Sequence, residues 1–282
     1  MHSAQRAFFQ PVRSRGGRRQ ARARIPRSSP TLERLEDRTV LSTFVVNTTA
    51  DTVDANPGDG LAQDSSGNTS LRAAIMEANA LPGADTIQLP AGTYFITIPG
   101  ANEDAAQTGD LDITDDLTIV GADRNATIIN GGGLDRVFHV NRVGNNPLTV
   151  SISNVTITNG RAPDASGDPS NSGGAILNEF GTLTIDNCVL QSNRAGDGGS
   201  FGGRGGAIYS YVASTTVTNS SIVNNTSGNG TFVGGMGGGM AALQSTVIVR
   251  GSIIQQSDRR RANGLEPHQR RPGWGHRERI GR

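Results

Sequence analysis

The chain contains no lysine: all 26 of its basic residues are arginine. A phosphate-binding Walker loop and Schiff-base chemistry both need a lysine ammonium, so neither is open to it. Cys188 is the single cysteine, which excludes an intrachain disulfide and leaves core burial and main-chain ladders to hold the fold. With the next cysteine absent and His139 the one histidine of the central part, a Cys/His zinc site is excluded there as well. Aromatic residues make up only 4% of the chain, so platforms for stacking bases are scarce. No apolar run reaches the length of about 18 residues that a membrane-spanning helix requires. Residues 1–42 also lack the apolar stretch of about 7–15 residues that follows the basic start of an ordinary secretory signal.

The charges that are present are unevenly placed. Ten Arg lie in residues 1–42 and eight in residues 257–282, whereas in residues 43–256 eight Arg stand against 19 Asp and Glu. An acidic body repels a phosphate backbone, so no nucleic-acid partner is expected for it. The two basic tails carry no apolar periodicity and read as disordered. The second tail holds Trp274, shows no strand alternation and supplies no end cap for the repeats before it, as expected of a truncated or frame-shifted product.

Between the tails the chain repeats itself. Val150 and Ile152 recur as Leu183 and Ile185, then Thr215 and Val217, then Val247 and Val249, at steps of 32 or 33 residues; Leu117 and Ile119 lie one step earlier. A second set runs through Val155 and Ile157, Cys188 and Leu190, Ser220 and Ile222, Ser252 and Ile254. A third runs through Ile176, Ile208 and Met240, each preceded by glycines. Apolar residues alternate with Thr, Ser or Asp, a period of two that marks half-buried strands. Three short strands per repeat, each stacked on its own copies, predict an all-β fold: a right-handed parallel β-helix, or solenoid, over residues 101–256. Asn154, Asn187 and Asn219 recur at one turn, and Asn159, Asn193 and Asn225 near the next, where asparagine tolerates the left-handed backbone of a sharp corner. The Asn-X-Ser/Thr triplets at Asn47, Asn154 and Asn219 read as parts of these turns and strands, ahead of glycan acceptors. Gly-rich excursions at 161–172, 194–204 and 226–236 are predicted to lie side by side as a flexible surface, the expected place for binding.

Ahead of the repeats, Leu71, Ala74, Ile75 and Ala78 fall at helical spacing after a capping Thr69 or Ser70, and Pro82-Gly83 ends the run. One short helix with one apolar face is expected. The string Thr69-Ser70-Leu71-Arg72-Ala73-Ala74-Ile75, followed by Ala84-Asp85-Thr86-Ile87-Gln88-Leu89-Pro90-Ala91-Gly92-Thr93-Tyr94, resembles the CSLREA domain, with Thr69 in place of its Cys and Ala73 in place of its Glu. That resemblance implies that residues 43–100 cap a β-helix in an exported bacterial protein. Leu32-Glu33-Arg34-Leu35-Glu36-Asp37-Arg38-Thr39-Val40-Leu41-Ser42 resembles the LEPR-XLL motif of bacterial exported and surface proteins, with Asp37 where that motif has Pro.

Solenoids of this kind resemble the pectin-lyase fold, which raises the question of catalysis on acidic polysaccharides. Asp110, Asp112, Asp115 and Asp116 cluster before the Leu117 strand, and a hydrolase needs two carboxylates held across its substrate. A lyase needs Asp ligands for calcium and an Arg base such as Arg136, Arg142 or Arg250. No stretch matches an active-site motif of those enzymes, so the four aspartates read first as solvated turn residues. His139, between inward Phe138 and Val140, is expected to point outward as an ordinary surface histidine. Asp197, in Gly196-Asp197-Gly198-Gly199, is a weak calcium candidate, because such turns bind calcium in tandem copies and this one occurs once. No other cofactor is expected. The sequence thus suggests an extracellular or cell-surface scaffold of adhesin-like or polymorphic type, non-catalytic, with surface polysaccharide or other cell-surface proteins as partners. The alternative is a polysaccharide lyase or glycoside hydrolase of pectin-lyase-like fold.

Overall fold

The structure is a computed structural model and describes residues 41–256, apart from 102, 142–147 and 168. The basic tails, most of the motif at 32–42 and Arg142 lie outside the described residues. The elements are short because each spans one side of a coil. Strand β1 (Thr43–Val45) and helix α1 (Leu71–Ala80) precede the first coil, which is made of β2 (Asp85–Leu89), β3 (Gly92–Phe95) and β4 (Leu111–Ile113). The second coil has β5 (Leu117–Gly121), β6 (Thr127–Asn130) and β7 (Phe138–Asn141), and the third β8 (Thr149–Ser153), β9 (Thr156–Thr158) and β10 (Ile176–Glu179). The fourth has β11 (Thr182–Asp186), β12 (Val189–Gln191) and β13 (Ile208–Tyr211), the fifth β14 (Ser214–Thr218), β15 (Ser221–Asn225) and β16 (Met240–Leu243), and β17 (Thr246–Arg250) with β18 (Ile253–Gln256) begins a sixth.

Equivalent strands stack into three parallel sheets, one of seven strands from β1 to β17, one of six from β3 to β18 and one of five from β4 to β16. The molecule is therefore the parallel β-solenoid that the repeats predict. Its main apolar column runs Phe44, Ile87, Ile119, Ile152, Ile185, Val217, Val249, each residue in register with the next. The ladder thus reaches back through β2 to β1, into the segment that the CSLREA resemblance marks as a cap. From Ile87 to Val217 this column is wholly excluded from solvent, and each such side chain contributes about 2–3 kcal/mol of burial. At β17 and β18 the equivalent positions are exposed, Val247 and Val249 on the first and Ile254 on the second.

Four left-handed corners turn each of the later coils, and they recur at the repeat length. One is Asn154, Asn187 and Asn219, with φ of 57°, 50° and 51°. The Asn187 side-chain amide donates to the Asn154 Oδ1 below it at 2.8 Å, while that of Asn219 donates to Asp186. The second is Asn159, Ser192 and Asn224, the third Phe180, Val212 and Gln244, and the fourth Gly173, Gly205 and Gly237. Asn193 and Asn225 are therefore not partners of Asn159 at one corner, as the sequence suggests. They stand one residue later and are buried, where Asn193 donates to the Asn225 Oδ1 at 3.0 Å and satisfies the main chain inside the coil. Cys188 also faces in, and burial pushes its thiol up to about 11, so it packs as a small apolar residue.

Helix α1 starts at Ser70, whose hydroxyl accepts the Ala73 N–H at 3.0 Å. It is more deeply enclosed than one apolar face implies, since eight consecutive residues from Leu71 to Ala78 are buried, Arg72 and Glu77 among them. Arg72 pairs with Asp51 at 2.6 Å and donates to the carbonyls of Ala106 at 2.8 Å and Gly109 at 2.9 Å. Glu77 accepts the N–H of Gly58 at 2.5 Å and that of Gly60. Burial pushes the neighbouring Asp54 up to about 6. Asn79 ties the far end of the helix to β4, donating to the Asp112 carbonyl and accepting from Thr114. This polar framework holds the 96–110 loop over the first coils.

Candidate functional site

Two surfaces stand apart from the regular ladder. The first is a charged cluster on the outer face of the five-stranded sheet, under the 96–110 loop. Strand alternation puts Leu111 and Ile113 inside and Asp112 outside on β4, and Phe138 and Val140 inside and His139 outside on β7. Parallel register then places Asp112 directly beside His139. Outward is not exposed here. The Asp112 side chain is fully enclosed and that of His139 only 13% accessible, because the loop packs on them and the Ala106 N–H donates to Asp112 Oδ2 at 3.0 Å. His139 Nε2 meets Glu179 Oε2 on β10 at 2.9 Å, and Nδ1 lies 3.2 Å from Asp112 Oδ1 and 3.9 Å from Asp104 Oδ1. Burial alone draws the imidazole down, but the Asp112 and Glu179 carboxylates outweigh it and lift its pKa to about 9. Burial pushes Asp112 up as well. The expectation of an ordinary surface histidine is corrected: no alternation pattern shows which loop folds over an outward position.

Asp110 and Asp112, expected as solvated turn residues, are buried too. Asp110 Oδ2 lies 2.9 Å from Arg136 Nε, and Asp135 Oδ1 is 3.8 Å from the same atom. Arg136 also donates to the carbonyls of Ser170, at 2.7 Å, and Ser172, at 3.3 Å. Burial first, with the nearby carboxylates adding to it, pushes Asp110 up to about 7 and Asp135 in the same direction, against the pull of Arg136. Asp115 and Asp116 belong elsewhere, at the corner into β5, where Asp115 accepts the Asp116 N–H and Asp116 accepts the Thr149 N–H. The four aspartates thus do not line one substrate site. Arg136 is enclosed, whereas Arg250 is exposed on β17. Asp135, Glu179 and Asp104 join the cluster without a signal in the sequence, since each comes from a different coil or loop.

The second surface is the stack of Gly-rich loops, which do lie side by side. Main-chain bridges join Arg161 to Arg194, Arg194 to Thr226, Gly198 to Gly230 and Phe201 to Val233. A continuous thread of hydrogen bonds crosses the stack: Gly196 N–H to Asn171 O, Gly203 to Gly196, Gly228 to Gly203 and Gly235 to Gly228, all at 2.8 or 2.9 Å. A Cβ on Gly228 would run into the Gly196 carbonyl, and one on Gly203 into that of Asn171. Glycine is there to let backbones touch, so the layer is laced together instead of forming the flexible surface expected. Asp197 takes part in this lacing: it accepts from Arg194 at 2.5 Å and from the Asn229 N–H at 2.6 Å. One coil below, Asp164 repeats the arrangement with Arg161 and the Asp197 N–H. In the loops of this layer Phe201, Phe232, Val233 and Met236 are exposed.

Among the described residues, Asp104, Asp112 and His139 are the group whose metal-ligating atoms come within 4.8 Å of one another. No described helix is long and apolar enough to cross a membrane. In comparisons with known proteins, no family model, no curated protein and no solved structure matches the chain.

Proposed function

We propose that this chain is an exported, cell-surface scaffold of adhesion type, without catalytic activity, whose contact face is the glycine-laced loop layer. The solenoid resembles the pectin-lyase fold and its N-terminal segment the CSLREA domain, a pairing that suits such a protein. The observation that carries the reading is the exposure of Phe201, Phe232, Val233 and Met236, with Phe201 bridged to Val233, on a layer held by main-chain hydrogen bonds. Apolar and aromatic groups presented on a firm backbone lose little entropy on contact, and aromatic rings suit the flat faces of sugars as well as protein surfaces. Surface polysaccharide or another cell-surface protein is the partner.

The test is binding of the purified chain to bacterial surface polysaccharides and intact cells, with and without Phe201→Ser and Phe232→Ser. Retention that falls at least tenfold in the double variant, with an unchanged β-sheet circular dichroism spectrum, supports the loop face. Equal retention by both proteins, or none by either, removes it.

A polysaccharide lyase or hydrolase is the second reading, favoured by the Asp112, His139 and Glu179 group as a set of acids and bases. Against it, Asp112 is wholly enclosed and Asp110 is engaged by Arg136. Release of unsaturated or reducing sugar ends from acidic polysaccharides, abolished by Asp112→Ala, would put this reading first.

A further inference from the structure

The contact between His139 and Asp112 contains an unresolved opposition. On one side of the ring Glu179 Oε2 lies 2.9 Å from Nε2, where an ionised carboxylate can only accept the Nε2 proton. A neutral imidazole so held presents the lone pair of Nδ1 on the other side. What it faces is Asp112 Oδ1, another acceptor, 3.2 Å away. That oxygen is buried and has no aligned hydrogen bond, although its partner Oδ2 takes the Ala106 N–H. Two acceptors brought together out of solvent need something positive between them, which is either a proton, on the ring or on the Asp112 carboxyl, or a metal ion.

We propose that Asp104, Asp112 and His139 form a divalent-metal site of zinc class, with Glu179 as the residue that orients the imidazole. The donor set, one imidazole nitrogen and two carboxylate oxygens, suits zinc better than calcium, which prefers oxygen alone. Ligand bonds of about 2.0–2.1 Å at a tetrahedral angle separate neighbouring donors by roughly 3.3–3.4 Å. The Asp112 to His139 spacing of 3.2 Å is close to that edge, and the Asp104 spacing of 3.9 Å is slightly long. Asp104 has room to close the difference, because its side chain is 69% exposed on its loop. Three protein donors leave a fourth position for water or for an oxygen of a bound partner. A carboxylate on the far ring nitrogen is the support that metal-bound histidines ordinarily have.

The local charge agrees. Asp104, Asp112 and Glu179 face His139, and Asp110 and Asp135 face Arg136, so five carboxyl groups stand in a cluster that holds one arginine, and a dication has carboxyl oxygens to pair with. The sequence excludes zinc sites built on cysteine; this one needs none.

The experiment uses the full chain, without a histidine tag, stripped with chelator and titrated with zinc chloride by calorimetry and with cobalt(II) by visible absorbance. Because His2, His268 and His276 lie outside the described residues, the deciding quantity is the difference between wild type and variants. Uptake of one ion that weakens about tenfold or more in Asp104→Asn and Glu179→Gln, and vanishes in His139→Ala, is the expected result. Asp164→Asn on the loop layer serves as the control with unchanged affinity. Asp104→Asn is an exposed substitution that keeps the test decisive if His139→Ala fails to fold. A folded wild type that takes up no zinc, or one whose uptake is the same in Asp104→Asn, overturns the site and leaves a proton between Nδ1 and Asp112 in its place.

Discussion

The first two coils and the last three cover their sides by opposite means. On the outer face of the five-stranded sheet a single column reads Asp112, His139, Leu177, Tyr209, Ala241, each in register with the next. Its lower end is charged and its upper end is not. Over the charged end the 96–110 loop and α1 bring carbonyls, amides and the Arg72 to Asp51 pair. In the Gly-rich loops of the later coils, backbone packs on backbone through glycine. A solenoid needs inward apolar residues in every coil, but it makes no repeated demand on outward columns. Where such a column changes character, the change reflects what covers it, and that is where a site is to be sought.

The contrast can be broken at either end. Arg72→Ala should have the largest effect, a loss of about 4 kcal/mol, because it leaves the buried Asp51 with no cation, only the Thr97 and Ile98 N–H donors, and three carbonyl contacts unmade. Urea unfolding followed by circular dichroism measures it; a loss below about 1 kcal/mol would mean that the N-terminal framework is not held by charge. Gly228→Ala should remove about 2 kcal/mol by forcing a Cβ against the Gly196 carbonyl. Hydrogen exchange should then speed up in residues 194–236 and leave 43–115 unchanged, whereas uniform loss would show that the two regions open together. The smallest effect has the opposite sign. Val212 holds a left-handed φ of 51°, which a β-branched residue adopts at a penalty. Val212→Asn should add about 1 kcal/mol, read as a higher unfolding midpoint, while the same exchange at an extended position would not.

Much of the coil was legible beforehand because its causes are local. Alternation placed Ile152, Ile185, Val217 and Val249 in one column, and the repeat length placed Asn154, Asn187 and Asn219 at one corner, as the register confirms. The capping Ser70 and the extent of α1 also follow from short-range rules. Other features were misread where the deciding contact is distant in sequence. Alternation alone leaves His139 solvated, whereas a loop some 30 residues earlier and Glu179, 40 residues later, enclose it. Asn193 and Asn225 resemble Asn159 in sequence, because composition cannot tell a corner from the residue after it.

What the sequence determined by itself, then, is the winding: the period of two, the period of 32 or 33 and the corner residues describe a backbone that must coil and stack on itself. Which outward residues are covered, which carboxylates lose water and which loops touch main chain to main chain were decided only by the tertiary structure. The physical reason is that strand periodicity is set by neighbours in the chain, whereas desolvation and charge pairing depend on groups brought together from different coils.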